Sequence, residues 1–176
     1  MTEPTSTRDL SIYDTPTVAW EQVQASLDAG FTQAPGTGGP DRHTCWLGTV
    51  GPDGRPHVVG VGAFPSETGW YFTSGPGTRK SRNLAHDPRC TISVALDDFD
   101  LTVEGTARRV TDEEELERFA AVAREDGWPA EARDGAVWAE YSAPSAGPPP
   151  WHVYKVVPSS ATALSVHEGG ATRWSF

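Results

Sequence analysis

From His43 onward, apolar and polar residues alternate in short runs, a period of two that predicts β-strands. Ile92, Val94 and Leu96 alternate with Thr91, Ser93 and Ala95, and Leu101, Val103, Gly105 and Ala107 alternate with Thr102, Glu104 and Thr106. Residues 43–50 and 56–64 flank Gly51-Pro52-Asp53-Gly54. In that turn Pro sets φ and Gly accepts a positive φ, so the two runs form a hairpin. Glu67-Thr68-Gly69 leads into a strand at 70–74, and Asp97-Asp98 marks another turn. Further strands are predicted near 151–157 and 161–167, then Gly169-Gly170, then a last strand to Phe176.

Helical spacing is confined to a few segments. Trp20, Val23 and Leu27 predict an amphipathic helix over 16–29, opened by Thr15-Pro16 and stopped by Gly30. Thr111 to Glu114 read as a capping box for a helix to about Glu125. Shorter helices are expected at 78–86 and 130–141. Residues 32–42 and 142–150 have loop composition, the second reading as a loop or lid. The polar N-terminus to Asp14 reads as loose, which gives a flexible 1–15 and one domain over 16–176. The expected class is mainly β with flanking helices (α+β), an antiparallel β-barrel. Trp20, Trp46 and Trp70 read as core.

Composition narrows the function classes. A chain of 176 residues with 37% hydrophobic positions and a mean hydropathy of -0.45 contains no run near the roughly 20 apolar residues of a membrane-spanning helix. No basic-then-apolar leader opens the sequence, so a cytoplasmic location is expected. A net charge of -10 argues against nucleic acid and anionic membrane surfaces as partners. Cys45 and Cys90 stand far apart, and His43 with Cys45 matches no zinc spacing, so no metal is expected. Five carboxylates over Asp112 to Glu117 are explained by their place at a helix N-terminus.

Two segments carry candidate chemistry. In Thr73-Ser-Gly-Pro-Gly-Thr-Arg-Lys-Ser-Arg-Asn-Leu84, a glycine loop leads from a strand into a helix. Arg79, Lys80, Arg82 and Arg89 are four of the fourteen basic residues, within eleven positions. A helix N-terminus, the hydroxyls of Thr73, Ser74 and Thr78, and these cations together suit a phosphate or other anion. The same run also reads as a solvated helix whose charges balance acidic neighbours. In Pro56-His-Val-Val-Gly-Val-Gly-Ala-Phe64, Gly60 and Gly62 share one face of a strand. That pair fits a flat ring lying against the strand, or equally a barrel corner with tight packing.

Taken together, the Val50 to His57 turn, the glycine-bearing strand, the run from Thr73 to Pro88 and the following Val/Ile strand resemble the pyridoxamine 5'-phosphate oxidase-like superfamily, which includes the flavin/deazaflavin oxidoreductases. The closing Ala171 to Phe176 is similar to one branch of it. The resemblance implies an antiparallel split β-barrel, a homodimer, and FMN or the deazaflavin coenzyme F-420 at the subunit interface. It places Arg79 and Lys80 on the family's phosphate-binding pair and Thr73 and Ser74 on the strand end beside the cofactor, with Thr78 in the same loop. It places His57, Val58, Val59 and Gly60 on the strand facing the ring, and Arg82 and Asn83 on the R-N-L pattern of deazaflavin-binding members.

The R-x-x-x-L-K run of true pyridoxamine phosphate oxidases is missing from Pro56–Phe64, and so is their C-terminal substrate motif. Both departures point away from the vitamin substrate, and the missing run, with the R-N-L pattern, points toward the deazaflavin. The expected activity is hydride transfer to or from a small substrate, with no catalytic side chain assigned. The alternatives are a flavin, haem or tetrapyrrole carrier or sensor, in which His57, His86 or His152 would be an axial ligand, and a cofactor-free dimer.

Overall fold

The computed structural model describes residues 1–32, 42–143 and 145–176. Among them, eleven strands and three helices follow in the order β1 (Ser6–Asp9), α1 (Trp20–Asp28), β2 (Cys45–Val50), β3 (Pro56–Val61), β4 (Ala63–Ser66), β5 (Gly69–Ser74), α2 (Arg79–His86), β6 (Arg89–Ala95), β7 (Phe99–Val110), α3 (Glu113–Glu125), β8 (Glu131–Arg133), β9 (Ala136–Trp138), β10 (His152–Ser165) and β11 (Ala171–Ser175). The architecture is mainly antiparallel β with three helices, as the alternation implies.

The sheet runs β1-β11-β10-β7-β6-β2-β3, and β5 pairs with β10 and β4. Since β3 continues into β4 through Gly62, the strands β2, β3/β4, β5, β10, β7 and β6 form a ring. The two runs expected at 151–157 and 161–167 are one strand, β10. Its first half pairs with β5 and its second with β11, so the barrel splits along it. The register slips between Pro158 and Ser160, because Pro cannot donate to the ladder. Gly105 lies opposite Pro158. A Cβ there would collide with the Val157 carbonyl, so only glycine fits.

Inward-facing residues fill the barrel: Leu47, Phe72, Ile92, Val94, Leu101, Val103 and Val156 pack with Trp20, Val23 and Leu27 of α1 and with Trp174. A second core joins Leu116, Phe119, Ala120 and Ala123 of α3 to Val110, Val137, Trp151 and Val153. Glu115 ties α3 to the barrel. Its carboxylate accepts hydrogen bonds from Arg108 (2.7 Å) and the Tyr71 hydroxyl (2.8 Å) and lies 3.5 Å from the Lys155 ammonium.

Several expectations are corrected. Residues 130–141 form the hairpin β8–β9 instead of a helix, turning at Asp134 and Gly135, both at positive φ. Helix α1 starts at Trp20 and not at Pro16, because Val18 donates its N–H to the Thr172 hydroxyl and holds the approach extended. The cap of α3 is Asp112, which accepts from the Glu115 N–H. The N-terminus is ordered over Ser6–Asp9, paired with β11. Trp46 stands on the outer face of β2, 50% exposed. The expected loop at 32–42 falls largely outside the described residues.

Candidate functional site

Helix α2 is built by its own sequence. Thr78 is its N-cap, accepting from the Ser81 N–H. The Ser74 hydroxyl lies 2.7 Å from that of Thr78 and 2.8 Å from that of Ser81, which donates to the Gly75 carbonyl (2.9 Å). These hydroxyls are turned inward and fix the Gly75–Gly77 loop. Helix geometry leaves the first-turn N–H groups of Arg79 and Lys80 without acceptors inside the helix.

The two neighbouring cations differ sharply. Arg79 is exposed. Lys80 is only 9% exposed, and among the described residues its ammonium has no hydrogen bond and no ion pair. Burial lowers its pKa from the ordinary lysine value. A desolvated, uncompensated cation is costly, and a bound anion would offset that cost.

Lys80 lines a cleft of about 560 Å³, together with Thr73 at the end of β5, Gly60, Val61 and Gly62 where β3 passes into β4, and Phe64. Phe31, Thr32, Asp126, Trp128, Tyr141 and residues of 142–146 close it. Among the described residues β3 is paired only with β2, so its other edge is free. The hairpin bond from Gly51 N–H to Arg55 C=O fixes the ladder's parity. It directs the backbone groups of Val58 and Gly60 to that free edge. Among the described residues of one protomer no packing demand explains the glycines: a Cβ on Gly60 would make ordinary contacts, 3.4 Å to Thr44 and 3.8 Å to Trp46, and one on Gly62 would meet none of them within 4 Å.

Of the eleven residues singled out from sequence, Gly60, Thr73 and Lys80 line this cleft. Arg79 and Arg82 stand exposed on α2, Arg82 donating to the Gly77 carbonyl. Ser74 and Thr78 serve the loop. Asn83 is buried and donates to the Thr49 hydroxyl at 3.0 Å, pinning α2 to β2. Val59 packs against the barrel core, Val58 is 64% exposed, and the His57 Nδ1 is buried without a partner among the described residues. Arg89 is held by Asp87 at the surface. Burial pushes the Cys45 and Cys90 thiols up to about 12, so neither is poised as a nucleophile. The aromatic wall of Phe31, Phe64, Trp128 and Tyr141 was missed, since no local motif marks residues that the fold gathers from four separate segments.

An antiparallel split barrel with a cleft beside a helix N-terminus defines the class. The profile of the pyridoxamine 5'-phosphate oxidase family matches residues 39–163, and the chain belongs to that family. A pyridoxine/pyridoxamine 5'-phosphate oxidase of Burkholderia mallei is 29% identical over 154 residues, covering 76% of this chain and 71% of that protein. Two solved structures share the fold. A conserved hypothetical protein of Mycobacterium tuberculosis has a TM-score of 0.60 at 16% identity, covering 88% of this chain and 89% of that one. PhzG of Burkholderia lata, in complex with tetrahydrophenazine-1-carboxylic acid, has a TM-score of 0.57 at 14% identity, covering 89% and 84%.

Proposed function

We propose that the chain is an oxidoreductase that binds FMN or the deazaflavin coenzyme F-420 in this cleft and transfers hydride to or from a small substrate. The carrying observation is Lys80, a largely buried lysine whose ammonium opens on the cleft without a partner among the described residues, at a helix N-terminus beside the free edge of β3. Family membership supports the reading.

The residues present suit such a cofactor. Lys80 and the first-turn N–H groups of α2 would hold its phosphate, aided by Arg79 at the rim. The free edge of β3 would orient the ring, and the aromatic wall would keep water from it. When bound, the flavin or deazaflavin supplies the hydride chemistry; the chain supplies position and charge. The cation-free strand Pro56–Val61 favours the deazaflavin.

The same reading includes a homodimer. The outer face of β2 and β3 presents Trp46 and Val58 to solvent, with Gly48 and Gly60 as their cross-strand partners. A second copy would cover it. A monomer in sedimentation at micromolar concentration would remove this part.

Lys80→Met tests the assignment. Charge-assisted hydrogen bonds contribute about 1.5–3 kcal/mol, so the variant should bind FMN or coenzyme F-420 roughly 10- to 150-fold more weakly while melting at or above the wild-type temperature. Unchanged affinity would refute the assignment.

A further inference from the structure

The aromatic lobe of the cleft can do more than keep water from the cofactor ring. Its walls are Phe64, Trp128 and Tyr141, with Asp126 at the end of α3. The rings are held in place. Phe64 packs edge-on against Phe119, with centroids 5.5 Å apart, and Trp128 lies 5.9 Å from Trp151. Tyr141 is 56% exposed, yet both of its polar ends are engaged. Its carbonyl accepts from the Trp128 indole N–H at 2.6 Å, and its hydroxyl donates to the Gly127 carbonyl at 2.8 Å. Such a ring presents an apolar face at a fixed position, so stacking on it costs little ordering entropy.

The electrostatics of the lobe are one-sided. Asp126 has no ion pair or side-chain hydrogen bond among the described residues. Lys80 is the one cation on the described lining of the cleft, and the cofactor's anion would consume it. Aromatic faces attract positive charge. We propose that this lobe binds the substrate, and that the substrate is a flat aromatic ring system carrying a positive charge or an N–H donor, without a phosphate. The proposal rests on the cleft being the cofactor site.

Two fluorescent probes of matched shape test it: proflavine, a flat cation, and pyrene-1-sulfonate, a flat anion. Their anisotropy would be followed at 0.15 M salt, with and without saturating FMN, and FMN binding titrated on the same preparation. Proflavine should bind the wild type more tightly than pyrene-1-sulfonate. Asp126→Asn, at an exposed position, should weaken proflavine about two- to fivefold. Tyr141→Ala should weaken it by a similar factor, and Tyr141→Phe should keep most of the affinity. Equal binding of the two probes, or wild-type proflavine affinity in both Asp126→Asn and Tyr141→Ala, would overturn the proposal. If Tyr141→Ala unfolds, Asp126→Asn decides alone. Normal FMN binding with insensitive proflavine binding rejects the lobe only. Absent FMN binding with the expected proflavine pattern rejects the FMN assignment only.

Discussion

Replacing Gly60 by valine separates a glycine kept for a ligand from one kept for packing. In a strand interior, glycine costs about 0.5–1 kcal/mol relative to alanine, and β-branched residues suit strands. A Cβ at Gly60 meets Thr44 at 3.4 Å and Trp46 at 3.8 Å, ordinary van der Waals distances. At Gly105, by contrast, a Cβ would collide with a backbone carbonyl. Gly60→Val should therefore be neutral to stabilising by up to about 1 kcal/mol, which raises Tm by about 2–4 °C for a chain of this size. Gly60 lines the cleft, and a valine standing there beside Thr44 and Trp46 would narrow the space along the free edge of β3. Affinity for FMN or coenzyme F-420 should fall at least tenfold, about 1.4 kcal/mol. The assay is a thermal melt and a fluorescence titration on the same preparation. A Tm lowered by several degrees with normal affinity would refute the reasoning and show that no ring lies on that face.

Other outcomes follow from the groups around the site. Asn83→Ala should cost about 1–3 kcal/mol in a denaturant melt, because it removes the buried hydrogen bond that pins α2 to β2 and leaves the Thr49 hydroxyl only its long donation to the His57 carbonyl, and should leave the cofactor affinity of the folded protein unchanged. Burial raises the Glu115 pKa, but hydrogen bonds from Arg108 and Tyr71 and the Arg108 and Lys155 charges outweigh it and leave the pKa lowered. A carboxylate lowered in the folded state adds stability that is present above its unfolded pKa and lost as pH falls through the folded one. Glu115→Gln should therefore cost about 2 kcal/mol at neutral pH and flatten the loss of stability below about pH 4.5; an unchanged acid limb would contradict this.

Much of the fold was legible because side-chain period and turn chemistry agreed. The Pro52-Asp53-Gly54 hairpin, the alternation in β6 and β7, and the α2 segment were readable locally. The hairpin β8–β9 was missed although Asp134-Gly135 is a turn dipeptide, because the alanine-rich flanks carry helix propensity that tertiary packing overrode. Trp46 misled because size suggests burial, whereas the register with Gly60 and Ser93 turns it outward. In the site, Lys80, Thr73 and Gly60 were recoverable from motif and spacing. The inward turn of Ser74, Thr78 and Asn83 was not, since it depends on how the loop folds back. Trp128 and Tyr141 come together only through the strap leading to β10.

The visible spectrum of the purified protein, taken as isolated and after incubation with FMN and with coenzyme F-420, tests the central claim most directly. The expected result is a protein-bound flavin or deazaflavin absorbance that survives desalting in the wild type and is lost in Lys80→Met. A haem Soret band, or the absence of any bound chromophore after both incubations, would contradict it.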